Sequence, residues 1–134
     1  MSEEYLDMTG VNLDDTFEPV VLEKGAEARL RITGCKSGKN ETTGIKYLMV
    51  FFDNQDEPYF KEFGEYLPFP HESMSPKENN NAKLKLNAFK ACFDIDLSGT
   101  VDVKNDIVGK EGDVILGVGK DKDGAPCNKV DKYL

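Results

Sequence analysis

Three groups of side chains in this sequence have the types to do chemistry: one histidine, three cysteines, and a set of aromatics interleaved with cations. His71 is the only histidine and stands between Pro70 and Glu72, with no serine or cysteine motif beside it. A nucleophilic triad therefore lacks its parts. Cys35, Cys92 and Cys127 are odd in number and widely spaced, which reads as reduced thiols rather than a disulfide framework or a zinc knuckle. Cys92, on an expected helix, reads as a small buried apolar group. Gly34-Cys35-Lys36-Ser37-Gly38-Lys39-Asn40 has the outline of a phosphate loop, but it is one residue short between the glycines and carries Asn where Ser or Thr would bind magnesium. Asp121-Lys122-Asp123-Gly124 lacks the third alternating acid and the distal Glu of a calcium loop. No catalytic residue, metal or cofactor is expected, and the chain is read as a non-enzyme.

The binding inventory is fuller. Holding an unpaired polynucleotide takes rings on which bases stack, at about 1 to 3 kcal/mol per base, and cations that follow the phosphates. Arg29, Arg31, Lys46, Tyr47, Tyr59, Lys61 and Phe63, with Lys36 and Lys39 in an adjoining loop, supply both kinds. Stacking is expected on Tyr47, Tyr59 and Phe63, and phosphate pairing at the Arg and Lys positions. The plainer reading has Tyr47, Phe51, Tyr59 and Phe63 merely covering a core. Interleaving of rings with cations on three consecutive strands favours binding.

The elements that must position these residues follow from periodicity. Ala28, Leu30 and Ile32 alternate with Arg29, Arg31 and Thr33, the period-2 pattern of a half-buried strand over residues 26–36. A polar loop, 37–44, precedes a second strand over 45–53. That strand is apolar on both parities, so its pattern leaves open whether Tyr47 and Met49 or Leu48 and Val50 face outward. A third strand is expected over 59–67, stopped by Pro68 and Pro70. Ser75-Pro76-Lys77-Glu78 combines an N-cap serine, proline at the first helical position and Glu three residues after the cap, which is a capping box. Ala82, Leu86, Phe89 and Phe93 then recur at helical spacing over 76–93. After a connector with an expected helical turn at 107–110, strands over 113–120 and 125–133 form a hairpin across Asp121-Lys122-Asp123-Gly124.

Five strands with one helix between the third and fourth is the order of an OB-fold barrel, so the expected fold is all-β with one helix, a five-stranded OB-fold barrel. At 134 residues the chain fits one domain. It divides into an acidic N-terminal arm, 1–19, partly ordered, and a barrel domain, 20–134. The formal charge of −8 stands against a phosphate partner, but its distribution is uneven. Residues 1–25 carry a charge of −6 and residues 26–134 only −2. No apolar run reaches the roughly 20 residues of a membrane helix, and Met1-Ser2-Glu3-Glu4 lacks the features of a signal peptide. A cytoplasmic location and no membrane partner are expected.

With its elements placed, the chain resembles phage-type single-stranded DNA-binding proteins of the OB-fold class over about residues 20–134. The likeness is carried by Leu22-Glu23-Lys24-Gly25 before Ala28-Arg29-Leu30-Arg31-Ile32, the loop ahead of Tyr47-Leu48-Met49-Val50-Phe51, and Phe89-Lys90-Ala91-Cys92 at the helix end. Ile107-Val108-Gly109-Lys110-Glu111-Gly112 and Asn128-Lys129-Val130 complete it. The resemblance implies sequence-nonspecific binding of single-stranded DNA in replication or recombination, without chemistry, in host cytoplasm if phage-encoded. The chain departs from better-known members in ending Val130-Asp131-Lys132-Tyr133-Leu134 rather than in an acidic tail, so contacts with replication or recombination proteins would fall to the N-terminal arm. A homo-oligomer is left open. Two rivals remain: an acidic DNA mimic or protein-interaction module that inhibits a nucleic-acid enzyme, and a small hydrolase using His71.

Overall fold

The computed structural model describes residues 4–14 and 16–134. Glu3 and Asp15, two of the arm's acids, lie outside the described residues. Five strands, β1 (Glu27–Lys39), β2 (Lys46–Asn54), β3 (Phe63–Pro68), β4 (Glu111–Lys120) and β5 (Pro126–Tyr133), form one antiparallel sheet in the order β3-β2-β1-β4-β5. The helix α1 (Pro76–Phe93) follows β3, and a π-helical turn, Val103–Ile107, precedes β4. No helix among the described residues is long and apolar enough to cross a membrane.

The inner face of the sheet is the core. Leu30 and Ile32 from β1, Val50 and Phe52 from β2, Leu67 from β3, and Val114 and Leu116 from β4 are fully buried, as are Phe89 and Phe93 of α1. Phe93 stacks on Phe52 at 5.5 Å between ring centroids, so the helix seals the inner face with its aromatic side. That helix starts where the capping box puts it: Ser75 Oγ accepts from the Glu78 amide, and the Glu78 carboxylate accepts from the Ser75 amide, both at 3.2 Å. It ends at Asp94, held in the left-handed region at φ 54°.

One expectation about the sheet is corrected. The expected third strand begins four residues later than its pattern implies, because Phe60 leaves the run to form an isolated parallel bridge with Val20, just after the arm. Among the described residues the five strands form one sheet in which no backbone ladder joins β3 to β5. The Val130 amide, which points from β5 toward β3, is taken instead by the Glu65 carboxylate at 2.6 Å. A side chain thus spans the gap that a ladder would fill.

A β-bulge between Ile32 and Gly34 changes what β1 displays. Before it, Arg29 and Arg31 face outward; after it, the outward positions are Gly34, Lys36 and Gly38, which pair with Phe51, Met49 and Tyr47. The extra residue, Thr33, shifts the alternation by one. β1 also runs three residues beyond its expected end, because Ser37, Gly38 and Lys39 pair with Leu48, Tyr47 and Lys46. The connector's helical turn forms at Val103–Ile107, earlier than expected, with Asp102 accepting from the Asn105 amide at its start.

Candidate nucleic-acid interface

On the outer face, β2 presents Tyr47, Met49, Phe51 and Asp53, because Leu48, Val50, Phe52 and Asn54 turn inward. The parity left open by the sequence is thereby fixed in favour of Tyr47 and Met49. β3 places Tyr66 beside Met49 and Gly64 beside Phe51. Tyr66 is 45% exposed, and its ring meets that of Tyr47 at 5.0 Å between centroids, tilted by 45°.

Three recesses follow one another along this face. The first, about 370 Å³, is lined by Lys39, Lys46, Gly38, Tyr47 and Phe69 with Ser37. The second, about 660 Å³, shares Tyr47 with it and adds Lys36, Asn40, Glu41, Met49, Phe51 and Tyr66. The third, about 600 Å³, shares Met49 and Phe51 and reaches Gly64, Lys61, Lys120 and Lys122. Shared linings make them one track down the outer side of β2. Rings occupy its middle and lysines stand at both ends, with Glu41, Glu62 and Asp121 also in its lining.

Lys39 and Lys46 are Cα partners across the β1–β2 ladder. Like charges placed directly opposite are unfavourable on their own, and an anion between them would relieve the repulsion. At the other end Lys61 is engaged: its ammonium donates to Asp121 and to the Pro126 carbonyl, each at 2.9 Å. That bond, followed by those from the Ala125 and Asp123 amides, holds the Asp121 carboxyl below its ordinary range. Lys61 therefore ties the β4–β5 hairpin to the start of β3. Lys120 and Lys122, flanking Asp121, line the track beside it.

The expected site residues divide accordingly. Lys36, Lys39, Lys46 and Tyr47 come together on the track, with Lys61 at its rim. Phe63 is the clearest correction: only 6% exposed, it faces the core and packs against Phe52 at 5.5 Å and Phe60 at 6.1 Å. Tyr59 lies outside β3 and is stacked on Phe17 of the arm at 4.4 Å, which covers one ring face. Arg29 is outward but paired with Asp113 at 3.3 Å. Arg31 has Asp53 and Glu111 as its Cα partners on the two flanking strands. The β1–β4 part of the outer face is thus balanced by its own acids, and the β1 cations that lie with the rings, Lys36 and Lys39, come from beyond the bulge.

Residues absent from the expected set are Met49, Phe51, Tyr66, Lys120 and Lys122. The signal for Tyr66 was present in its spacing: Gly64 and Tyr66 share a parity opposite to Phe63 and Leu67. The Cys35 thiol is not a reactive group of this face, since burial pushes it up to about 11. No metal-ligand cluster occurs among the described residues. No family model matches the chain, and no curated protein matches it in sequence.

Proposed function

We propose that this protein binds single-stranded DNA without sequence preference, by stacking bases on Tyr47, Tyr66 and Phe51 and pairing phosphates with Lys36, Lys39, Lys46, Lys120 and Lys122. The observation that carries the reading is the continuous outer track, ringed with lysines at its two ends and aromatic along its centre. Stacking on rings is tolerant of sequence because every base has a π-face, and a lysine-lined groove supplies the attraction for the backbone.

We further read the sheet as an OB-type barrel left open between β3 and β5. The strand order is that of an OB barrel cut at one seam, and the Glu65 to Val130 hydrogen bond lies across that seam. In OB folds the face of strands 2 and 3 and the loops β1–β2 and β4–β5 carry oligonucleotides. The track lies on β2 and β3, and Asn40, Glu41, Lys120, Asp121 and Lys122 at its ends belong to or border those two loops.

Net acidity does not oppose this reading, because only charge near the groove acts at short range once salt screens the rest. Titrating a fluorescently labelled oligothymidylate into the protein at several salt concentrations tests it. Saturable binding that weakens as salt rises is expected. Absence of binding at low salt overturns the reading and favours the acidic-mimic alternative.

A further inference from the structure

The outer face of β1 and β3 carries three glycines, Gly34, Gly38 and Gly64, and none of them has the positive φ that would call for glycine. A glycine inside a strand weakens it by removing a packing side chain, and it marks a bulge or a close approach. Gly34 borders the bulge. For the other two the close approach is an overlying side chain. A Cβ on Gly38 would stand 2.5 Å from the Tyr47 hydroxyl and 2.6 Å from Cζ of the same ring. A Cβ on Gly64 would stand 2.5 Å from Met49 Cε and 3.2 Å from two atoms of the Phe51 ring. Tyr47 and Phe51 are also the direct cross-strand partners of these glycines. Each ring therefore leans from β2 onto the bare backbone of a neighbouring strand.

We propose that Gly38 and Gly64 are positioning residues that lay Tyr47 and Phe51 down on the sheet, so that ring faces rather than ring edges meet the groove. The inference rests on the single-strand reading above and specifies its ligand: a strand with unpaired bases, recognised through their flat faces. A lowered ring offers a π-face to any base. In a duplex those faces are already stacked. With a methyl group at position 38 the Tyr47 ring must tilt up; at position 64 Met49 Cε must swing aside and the Phe51 ring give by a few tenths of an ångström, so in both the groove narrows where the base would lie. The atoms that would be displaced belong to side chains, not to backbone, so the fold survives the change.

The test uses the full chain with Gly38→Ala and Gly64→Ala, titrated with an oligothymidylate and with an abasic oligonucleotide of the same length. The sequence has no tryptophan and five tyrosines, so intrinsic tyrosine quenching reports stacking directly. Each variant is expected to bind the base-bearing strand about fivefold or more weakly, the loss of at least about 1 kcal/mol of stacking. Affinity for the abasic strand should stay unchanged. Introducing Gly38→Ala into a Tyr47→Ala background is expected to add nothing, because the glycine acts only through that ring. A folded variant that keeps the wild-type preference for bases, or an additive double variant, overturns this inference alone. A wild-type chain that binds neither strand overturns the functional reading with it.

Discussion

Phe63 and Tyr66 stand three residues apart on one strand, an odd step, so only one of them can face the groove. The core takes Phe63, and the solvent side takes Tyr66. The two aromatics therefore separate sharply in their predicted behaviour. Phe63→Ala should destabilise the fold by about 3 to 5 kcal/mol, read as a lower denaturant midpoint. Tyr66→Ala should weaken oligonucleotide binding by about 1 to 3 kcal/mol, while costing stability no more than about 1.5 kcal/mol for its lost partnership with Tyr47. Equal effects of the two substitutions on binding would contradict the assignment. At this scale the sequence was legible where one parity is polar: Ala28, Leu30 and Ile32 are inside and Arg29 and Arg31 outside, as their alternation requires. It was silent where both parities are apolar, as along Tyr47 to Phe52. It misled where Phe60 and Phe63, both buried, belong to different pieces of structure but read as one run.

Among the elements, the helix was the most legible because its start is written locally, in Ser75, Pro76 and Glu78, and needs no distant partner. The β1 bulge was not legible, because it arises from pairing with two partners at once. Residues 27–31 pair with β4, while residues from Leu30 onward pair with β2. Gly34 is a local hint of a bulge, but nothing in Ile32-Thr33-Gly34 fixes the register shift that brings Lys36 and Gly38 to the outer face. The seam between β3 and β5 is likewise bridged through a side chain, the Glu65 carboxylate. Glu65→Ala should leave the Val130 amide without its acceptor, at a cost of about 1 to 3 kcal/mol. Glu65→Gln retains an acceptor and should recover most of that loss in the same urea titration. Equal destabilisation by both would assign the effect to charge rather than to the hydrogen bond.

For the whole molecule, two kinds of titration are separable. Burial pushes the Cys35 thiol from its ordinary 9.0 up to about 11, and raises Cys92 and Tyr133 as well, the latter helped by the nearby charge of Glu65. A raised folded-state value means that the neutral form is favoured in the native protein. Cys35 therefore contributes its stability fully below about pH 9, and that contribution drains as pH climbs through 9 toward 11, while the loss from Tyr133 begins only above its ordinary value of 10.0. Melting temperature should fall across that window in a buffered series, and a flat profile would refute the burial argument. The acidic arm carries the other electrostatic prediction. It joins the domain beside Lys61 through the Val20 bridge and the stack of Phe17 on Tyr59, so its carboxylates are tethered near one end of the lysine-lined track. Deleting residues 1–19 should tighten single-strand binding most at low salt, where screening is weakest; an unchanged affinity would leave the arm with no competing role. The most direct measurement of the central claim is a map of backbone amide shifts as an unlabelled oligothymidylate is added to isotope-labelled protein. The account predicts shifts concentrated at Lys36, Gly38, Tyr47, Met49, Phe51, Gly64 and Tyr66, reaching Lys120 and Lys122 at the far end of the track, with α1 quiet. Shifts confined to α1 or the arm, with those seven positions unmoved, would contradict it.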